Sequence, residues 1–471
     1  MKPSSPHFTV DLLGWAPLRW LAHRRLYPPL VQLVLLLLLG VLALNGLGVG
    51  AGPDAPDLLT LRKTNLTTLL VWGLWWPLMI VGAVLAGRLW CQICPLELLH
   101  RTTDQVARRL GWPRRRLGTF FRAGWGIFLG YLVLQALVAG ISLHRWPGAA
   151  AWMLVVLPGL AILVGLLFRE PRAFCTGFCP VALQLSTYGR CSPWQLDVRD
   201  PAVCARCPTR DCVREDNRYR LAGRSCPSLI QPFLRDPADG CLVCLQCAKI
   251  CPHDNVGFGL ARPAAPSRRL DLLTGSEAAF VLVAAGFVVH ELVTEVKWLD
   301  RLFVALPHLL AGQVPVPFKW LEAVWFLVLV PLLLFAPLAA LARWWAPRLS
   351  FREVLHGLAA GVLPVLAFAH IGKALAKFTG WIGYLPLAAQ DPRGLETSAL
   401  LTAGSVASPP RLLSLSGVGW LMLPVLAAAA VWAWRRAGGF REEVRPVLRL
   451  GLVAGALVYG AVLVVWAVAP K

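Results

Sequence analysis

The residues best suited to chemistry in this sequence are its cysteines, because their spacing is regular. Nine of the thirteen lie between positions 191 and 251, inside the one long polar stretch of the chain, residues 170–274. The run Cys241-x2-Cys244-x2-Cys247-x3-Cys251-Pro has the C-x2-C-x2-C-x3-C-P pattern with which thiolates hold [4Fe–4S] clusters. Thiols in a reducing cytosol more often bind metals or clusters than pair as disulfides. This segment therefore predicts iron–sulfur chemistry.

A second, less regular motif precedes that run. It consists of Cys204-x2-Cys207-x4-Cys212, followed after an insertion by Cys226 and a proline. In proteins with two such runs, the last cysteine of one run binds the cluster of the other. We therefore predict two [4Fe–4S] clusters, the first held by Cys204, Cys207, Cys212 and Cys251, and the second by Cys226, Cys241, Cys244 and Cys247. A structural zinc site is the alternative, chiefly for the first motif with its wider gap.

Four further cysteines lie at the ends of hydrophobic segments. Cys91 and Cys94 fall in residues 89–95, and Cys175 and Cys179 fall in residues 174–180; each pair is followed by proline. Each pair spans about one helical turn, so both thiols can face one centre. A third cluster, another metal site or a redox-active dithiol pair are the functional alternatives. In the structural alternative, the four cysteines act only as small buried hydrophobic residues.

Composition indicates what carries these motifs. The chain of 471 residues is 57% hydrophobic and 15% charged, with a mean hydropathy of +0.61, which is typical of a membrane protein. Nine apolar windows are long enough to cross a bilayer. They are residues 27–49, 66–89, 120–143, 149–168, 276–292, 320–341, 354–371, 412–434 and 447–467.

The net charge of +21 has a topological explanation. If the N-terminus is inside, the short inner loops carry 19 lysines and arginines and the outer loops carry 10. This positive-inside asymmetry predicts a multi-pass protein of the bacterial inner (cytoplasmic) membrane, with the N-terminus and the cysteine-rich stretch in the cytoplasm. Nucleic acid is not an expected partner, because no basic surface interleaved with aromatic residues accompanies the charge.

These features together predict the fold class and the domains. We expect an all-α polytopic membrane protein with about nine transmembrane helices and a cytoplasmic two-cluster ferredoxin-like α+β insert. Residues 1–169 would form a four-helix membrane domain and residues 276–471 a five-helix membrane domain. Between them, residues 170–275 would form the [4Fe–4S] domain with its membrane-proximal cysteine motif.

At the cysteine motifs the chain resembles the membrane polyferredoxins of the NapH and NosR type, over about residues 28–262. Those proteins place C-x3-C-P motifs at the inner ends of transmembrane helices, before a two-cluster ferredoxin segment. The resemblance implies a respiratory role, in which electrons pass between quinol and a protein redox partner. The Cys91–Cys94 pair departs from the pattern with its C-x2-C-P spacing, and the last five windows lie outside it.

Two histidines in the apolar windows predict a further site. His290 and His370 lie near the outer ends of the fifth and seventh windows, at similar depth, as two axial ligands of a haem b would. The alternatives are a role in quinone binding or proton handling, and simple packing at the interface. Lys373 and Lys377 follow His370, and we expect both to extend to the membrane surface.

The predicted function is electron transfer between the quinone pool and a redox partner through the two clusters, in either direction, with quinol oxidation as the reaction if electrons leave the pool. A redox sensor, or a maturation factor for a respiratory metalloenzyme, is the alternative from another class. A transporter with a redox-controlled gate is a third hypothesis that rests only on the five later windows. Signature motifs of nucleotide-binding and hydrolytic enzymes are missing from the sequence.

Overall fold

Helices of membrane length dominate the chain. The computed structural model describes residues 8–50, 57–228, 230–232, 241–261 and 273–469. Within these ranges, eight helices are apolar and long enough to cross a membrane. They are Pro29–Gly46, Leu66–Ala86, Pro147–Leu167, Gly275–Val293, Phe318–Trp345, Phe351–Gln390, Leu415–Ala437 and Arg445–Val468. Eight of the nine windows are thus confirmed as membrane-length helices.

The remaining window, residues 120–143, forms a shorter helix. It runs from Trp125 to Gly140 and has 16 residues. The backbone adopts positive φ at Gly124 (81°) and at Ser142 (54°), and such angles do not continue a right-handed helix. The broad hydrophobic window therefore contains turns at both ends that its composition did not reveal.

Shorter helices connect or flank these elements. The α-helices are Ala16–His23, Leu58–Thr64, Trp90–Ile93, Pro95–Arg109, Thr119–Arg122, Ala173–Gly177, Ala182–Tyr188, Pro201–Ala205, Gln246–Ile250, Lys297–Phe303, Ala305–Ala311 and Leu395–Thr402. Short 3-10 turns occupy Leu12–Gly14, Gly189–Cys191, Glu215–Asn217 and Ile382–Tyr384. Many of the cysteines lie in or beside the shortest of these elements.

A small antiparallel sheet supports the cysteine-rich segment. Its strands are β1 (Phe8–Asp11), β2 (Trp194–Val198) and β3 (Val256–Ala261), in the order β1-β3-β2. Strands β2 and β3 pair in regular register from Trp194 opposite Leu260 to Val198 opposite Val256. The sheet thereby brings a strand from the N-terminal end of the chain beside the cysteine loops.

Contacts divide the chain into two compact units. The first unit contains Met1–Leu39, Gly82–Gly124 and Leu157–Leu272. The second contains Gly40–Val81, Trp125–Val156 and Leu273–Lys471. All thirteen cysteines belong to the first unit, and both candidate histidines belong to the second.

The second unit is built around the helix Phe351–Trp381, which is 31 residues long. Ser350 and Glu353 start it with a capping box, in which each side chain accepts from the other residue's backbone N–H. Gly451 allows the helix Arg445–Val468 to approach closely, because a Cβ there would lie 2.5 Å from the Leu358 carbonyl oxygen. Small residues thus set the packing of this helix pair.

Candidate functional site

The first group of thiols lines one pocket of the first unit. Cys204, Cys207, Cys212 and Cys251 all face it. The side-chain amide of Asn255 donates to Cys204 Sγ (3.2 Å), and the Asn255 backbone N–H donates to Cys251 Sγ (3.4 Å). Burial raises the pKa of Cys212 to about 11, and the charges of the other three thiolates add to the rise. The four sulfurs are therefore electrostatic neighbours.

Asn255 is a member of this site that the sequence did not single out. Its Nδ2 also donates to the Asp200 carbonyl oxygen (2.6 Å), and its Oδ1 accepts from the Asp200 backbone N–H (2.9 Å). Both amide hydrogens and the amide oxygen are thus engaged, which fixes the orientation of the side chain. Its position directly after the Cys251-Pro252-His253-Asp254 turn was the only signal that could have indicated this role.

The second group lies in the loop that leads into the helix Gln246–Ile250. Val243 and Leu245, on either side of Cys244, have positive φ (52° and 56°), a conformation that is found at ligand-binding loops. The Val243 backbone N–H donates to Cys241 Sγ (3.4 Å). Burial raises the pKa of Cys244 to about 12, opposed by Arg224 and reinforced by Cys226 and Cys241.

Cys247 completes the second group. Burial raises its pKa well above the usual value, and the charges of Cys244, Cys241 and Cys226 raise it further. Each thiol of the predicted second ligand set therefore has the others as neighbours. Binding of a metal cluster to such buried thiols requires their deprotonation, so binding and proton release are coupled.

The third group consists of the four cysteines that follow two membrane-length helices. Burial raises the pKa of Cys94, and the charges of Cys91, Cys179 and Cys175 raise it in the same direction. Cys175 and Cys179 also pack against a small apolar cluster that includes Phe174. The two sequence pairs, about eighty residues apart, therefore meet in one place.

Two buried arginines accompany the third group. Arg88 and Arg172 are each 9% exposed. Burial lowers the pKa of Arg88, but the charges of Cys91 and Cys175 and a hydrogen bond to Cys91 outweigh it and leave the pKa raised. Arg172 hydrogen-bonds to the Ser228 hydroxyl. These guanidinium groups supply positive charge where several thiolates would otherwise repel one another.

A buried ion pair lies beside the second group. Arg224 Nη1 lies 2.7 Å from Glu97 Oε1, and both side chains are less than one tenth exposed. The Gln32 side-chain amide donates to Glu97 Oε2 (2.8 Å). Burial raises the pKa of Glu97, but Arg224 and Arg101 outweigh it and lower the pKa to about 2. Glu97 is therefore a stable counter-charge for an arginine that also interacts with Cys244.

The three groups share neighbours, which places them in a series. Cys212 of the first group is among the charges that raise the pKa of Cys247 in the second. The charge of Arg172 interacts with Cys226 of the second group and with Cys175 and Cys91 of the third. The second group therefore lies between the other two.

The thiol groups are arranged for a cluster rather than for a single metal ion. Among the residues that the structure describes, no three histidine, cysteine or acidic side chains are arranged to hold a single metal ion. In a [4Fe–4S] cluster each thiolate binds a different iron, so the ligands surround a body several atoms wide. Thiols with N–H groups directed at sulfur, as at Cys204, Cys241 and Cys251, fit such a cluster.

The two candidate histidines of the second unit each face a carboxylate. His370 Nε2 lies 3.3 Å from Glu291 Oε2, and His290 Nε2 lies 3.8 Å from Glu322 Oε1. The His290 ring also stacks on Phe326, with centroids 4.3 Å apart. The haem and quinone roles of these histidines stay predictions, since no cofactor geometry tests them.

Lys373 differs from the expectation that it would extend to the membrane surface. It is 7% exposed, its Nζ pairs with Glu295 at 2.9 Å, and it donates to the Glu291 carbonyl oxygen. The reason is that the predicted window ended at residue 371, whereas the helix continues to Trp381. Lys373 therefore lies within the helix, against a neighbouring element, rather than at its frayed end.

The sequence is similar over part of its length to one archaeal protein. No family model matches the sequence, and no solved structure matches it. The uncharacterized protein MJ0749 of Methanocaldococcus jannaschii is 27% identical over 186 residues, which are 38% of this chain and 67% of the archaeal protein. This chain is therefore similar over part of its length to a protein whose printed name assigns no function.

Proposed function

We propose that this protein is a membrane-bound iron–sulfur electron-transfer protein that carries electrons between the quinone pool and a redox partner. Two [4Fe–4S] clusters are bound in a ferredoxin-like insert by the first and second thiol groups. The proposal includes kinship with the NapH and NosR type and residence in the bacterial inner membrane, with the thiol-rich insert in the cytoplasm. Quinol is the proposed electron donor.

The observation that carries this proposal is the serial arrangement of three four-thiol groups. An electron carrier needs redox centres that are close to one another, and shared neighbours such as Cys212 with Cys247 support that closeness. Each group also has its own source of charge compensation or hydrogen bonding: Asn255, Arg224 with Glu97, and Arg88 with Arg172. Structural zinc sites do not transfer electrons, so they would not need to lie next to one another.

Named residues of this chain have separable roles in the proposed function. Bound clusters supply one-electron transfer, held by the first group and the second group. N–H groups of Asn255 and Val243 stabilise negative charge on the sulfurs. Arg88 and Arg172 compensate charge at the third group, which we propose as a further redox site, either a third cluster or a dithiol pair.

One observation favours the alternative of a redox sensor. A backbone N–H of Arg210 lowers the pKa of Cys207, and the Cys207 side chain is only partly buried. Accessible thiols of low pKa are typical of redox sensors. A cluster at this position would be exposed to oxidants.

The test is electron paramagnetic resonance of the anaerobically purified protein, with Cys244→Ser as the variant and Cys191→Ala as the matched control. Cys191 is buried but belongs to none of the three groups. We expect reduced-cluster signals in the wild type and control, and loss of the second-group signal in Cys244→Ser. Absence of any cluster signal in wild-type protein after dithionite reduction would refute the proposal. Cells that carry Cys244→Ser, keep quinol-driven electron flow and lose only a transcriptional or assembly phenotype would favour the sensor.

A further inference from the structure

A lysine in the second unit is surrounded by tryptophan rings. Lys377 Nζ lies 4.7 Å from the ring centroid of Trp76, 5.3 Å from that of Trp381 and 5.8 Å from that of Trp72. In the part of the chain that the structure describes, Lys377 makes no hydrogen bond or ion pair. Ring faces attract its charge but do not accept its three N–H donors in the way an oxygen does.

Other donors at this place also lack an acceptor. Trp72 is 7% exposed, and its Nε1 has no hydrogen-bond partner among the described residues. The same holds for Nε of Arg62, whose guanidinium lies 5.2 Å from the Trp381 ring. Burial, followed by the charge of Arg145, lowers the pKa of Arg62 to about 10. A buried donor without a partner is costly, so this surplus of donors favours an acceptor beyond the residues that the structure describes.

Local backbone geometry also marks this place. The segment Leu69–Trp75, which carries Trp72 and ends beside Trp76, is π-helical. A second π-helical segment, Trp325–Leu329, carries Phe326. Such segments are rare and are often found at functional sites.

A histidine and a carboxylate adjoin the tryptophans. The His370 ring contacts Trp76 with centroids 5.2 Å apart, and its Nε2 faces Glu291. Glu295 is already paired with Lys373 at 2.9 Å, and it makes no hydrogen bond to Lys377. Ionisable groups on membrane-length helices are costly and mostly functional.

We infer that Trp72, Trp76 and Lys377 bind the head group of a quinone, whose ring packs against the indoles and whose carbonyl oxygens accept from Lys377 and Trp72. A lipid phosphate would also accept these hydrogen bonds. However, a phosphate does not pack against flat aromatic rings and does not need the His370–Glu291 pair. A quinone has a flat ring and gains and loses protons with its electrons. The inference rests on the proposed function and assigns its quinone site to the second unit.

The experiment is a binding titration of the purified full-length protein with heptyl-hydroxyquinoline N-oxide, a fluorescent analogue of the quinol head group. We expect Lys377→Met and Trp76→Leu to weaken binding by about tenfold or more, and Lys377→Arg to stay within about threefold of wild type. Lys297→Met is the control, because Lys297 is an exposed lysine of the same unit. Equal affinity in wild type, Lys377→Met and Trp76→Leu would overturn the inference.

A second measurement locates the site without a variant. A photoreactive azidoquinone should label peptides that contain Trp72, Trp76 or Lys377 in wild-type protein, and excess anionic phospholipid should not compete. Labelling only elsewhere, or competition by the phospholipid, would overturn the inference. If the analogue binds here but quinol does not reduce the clusters, the electron relay fails and this site stands. If quinol reduces the clusters while Lys377→Met binds normally, the relay stands and this site fails.

Discussion

Hydrogen bonds to sulfur are the residue-scale feature that most directly sets the potential of a cluster. A reduced cluster carries one more negative charge than an oxidised one, so an N–H that donates to sulfur favours the reduced form. Asn255 provides two such donors in the first group, one from its side chain and one from its backbone. Only the side-chain donor can be removed by substitution.

Replacing that donor gives the first prediction. In Asn255→Ala, we expect the midpoint potential of the first-group cluster to fall, because its reduced form loses a hydrogen bond. About 59 mV corresponds to a tenfold change for a one-electron couple, and a shift of tens of millivolts is expected. Potentiometric titration measures it, with Asn217→Ala as the control, since the Asn217 side-chain amide donates to Asp211. An unchanged or raised potential would contradict this role.

The ion pair of Glu97 and Arg224 gives the second prediction. Glu97→Gln leaves a buried guanidinium without its counter-charge, which typically costs about 3–5 kcal/mol. The exposed pair of Glu215 and Arg108 is the control, because Glu215→Gln should change stability by less than about 1 kcal/mol. Thermal unfolding of the two variants measures the difference. Equal unfolding temperatures would show that the buried pair is not a structural support.

At this scale the sequence located the thiol groups but not their surroundings. Every cysteine of the three groups was readable from spacing, because ligands of one cluster recur at short intervals. Arg224 and Glu97 are 127 positions apart, and no local pattern connects them. Contacts of this kind are set by packing between elements, so they emerge only from the fold.

Helix ends and helix crossings are the features that matter at the element scale. Hydropathy located eight membrane-length helices, because apolar length is a direct physical requirement for crossing a bilayer. It did not locate the end of the helix Phe351–Trp381, because Lys373 and Lys377 lower the local hydropathy, while a neighbouring helix supplies a partner for Lys373. The same limit hid Trp381, which lies beyond the predicted window of residues 354–371 and is 5% exposed.

The close crossing of two helices gives the third prediction. In Gly451→Ala, the new methyl group would meet the Leu358 carbonyl oxygen, so we expect a loss of about 1–3 kcal/mol of stability from overpacking. Gly460→Ala lies on the same helix, where nothing lies within 4 Å of the added atom, and it should be neutral or slightly stabilising. Thermal unfolding in detergent compares the two. A Gly451→Ala protein as stable as Gly460→Ala would contradict the close crossing.

The whole molecule combines a thiol-rich unit with a unit of packed helices. The sequence suggested three consecutive domains, because hydropathy divides a chain only along its length. The compact units interleave three segments each, because long-range contacts join distant parts of the chain. Within the first unit, the third thiol group directly follows two membrane-length helices, and the first group lies at the other end of the series.

This order gives the fourth prediction. If electrons from quinol enter at the third group, the double variant Cys175→Ser, Cys179→Ser should lose reduction by quinol and keep reduction of the other clusters by dithionite. Cys191→Ala should be reduced by both. Visible absorbance under anaerobic conditions measures each case. Unchanged reduction of the double variant by quinol would show that electrons enter elsewhere.

The most direct test of the central claim is the anaerobic visible spectrum of the wild-type protein before and after addition of a menaquinol analogue, with dithionite as the full-reduction control. We expect a broad absorbance of iron–sulfur clusters that bleaches in part with the quinol and completely with dithionite. A protein that shows no such absorbance, or that bleaches with dithionite but not at all with the quinol, would contradict an electron relay from the quinone pool.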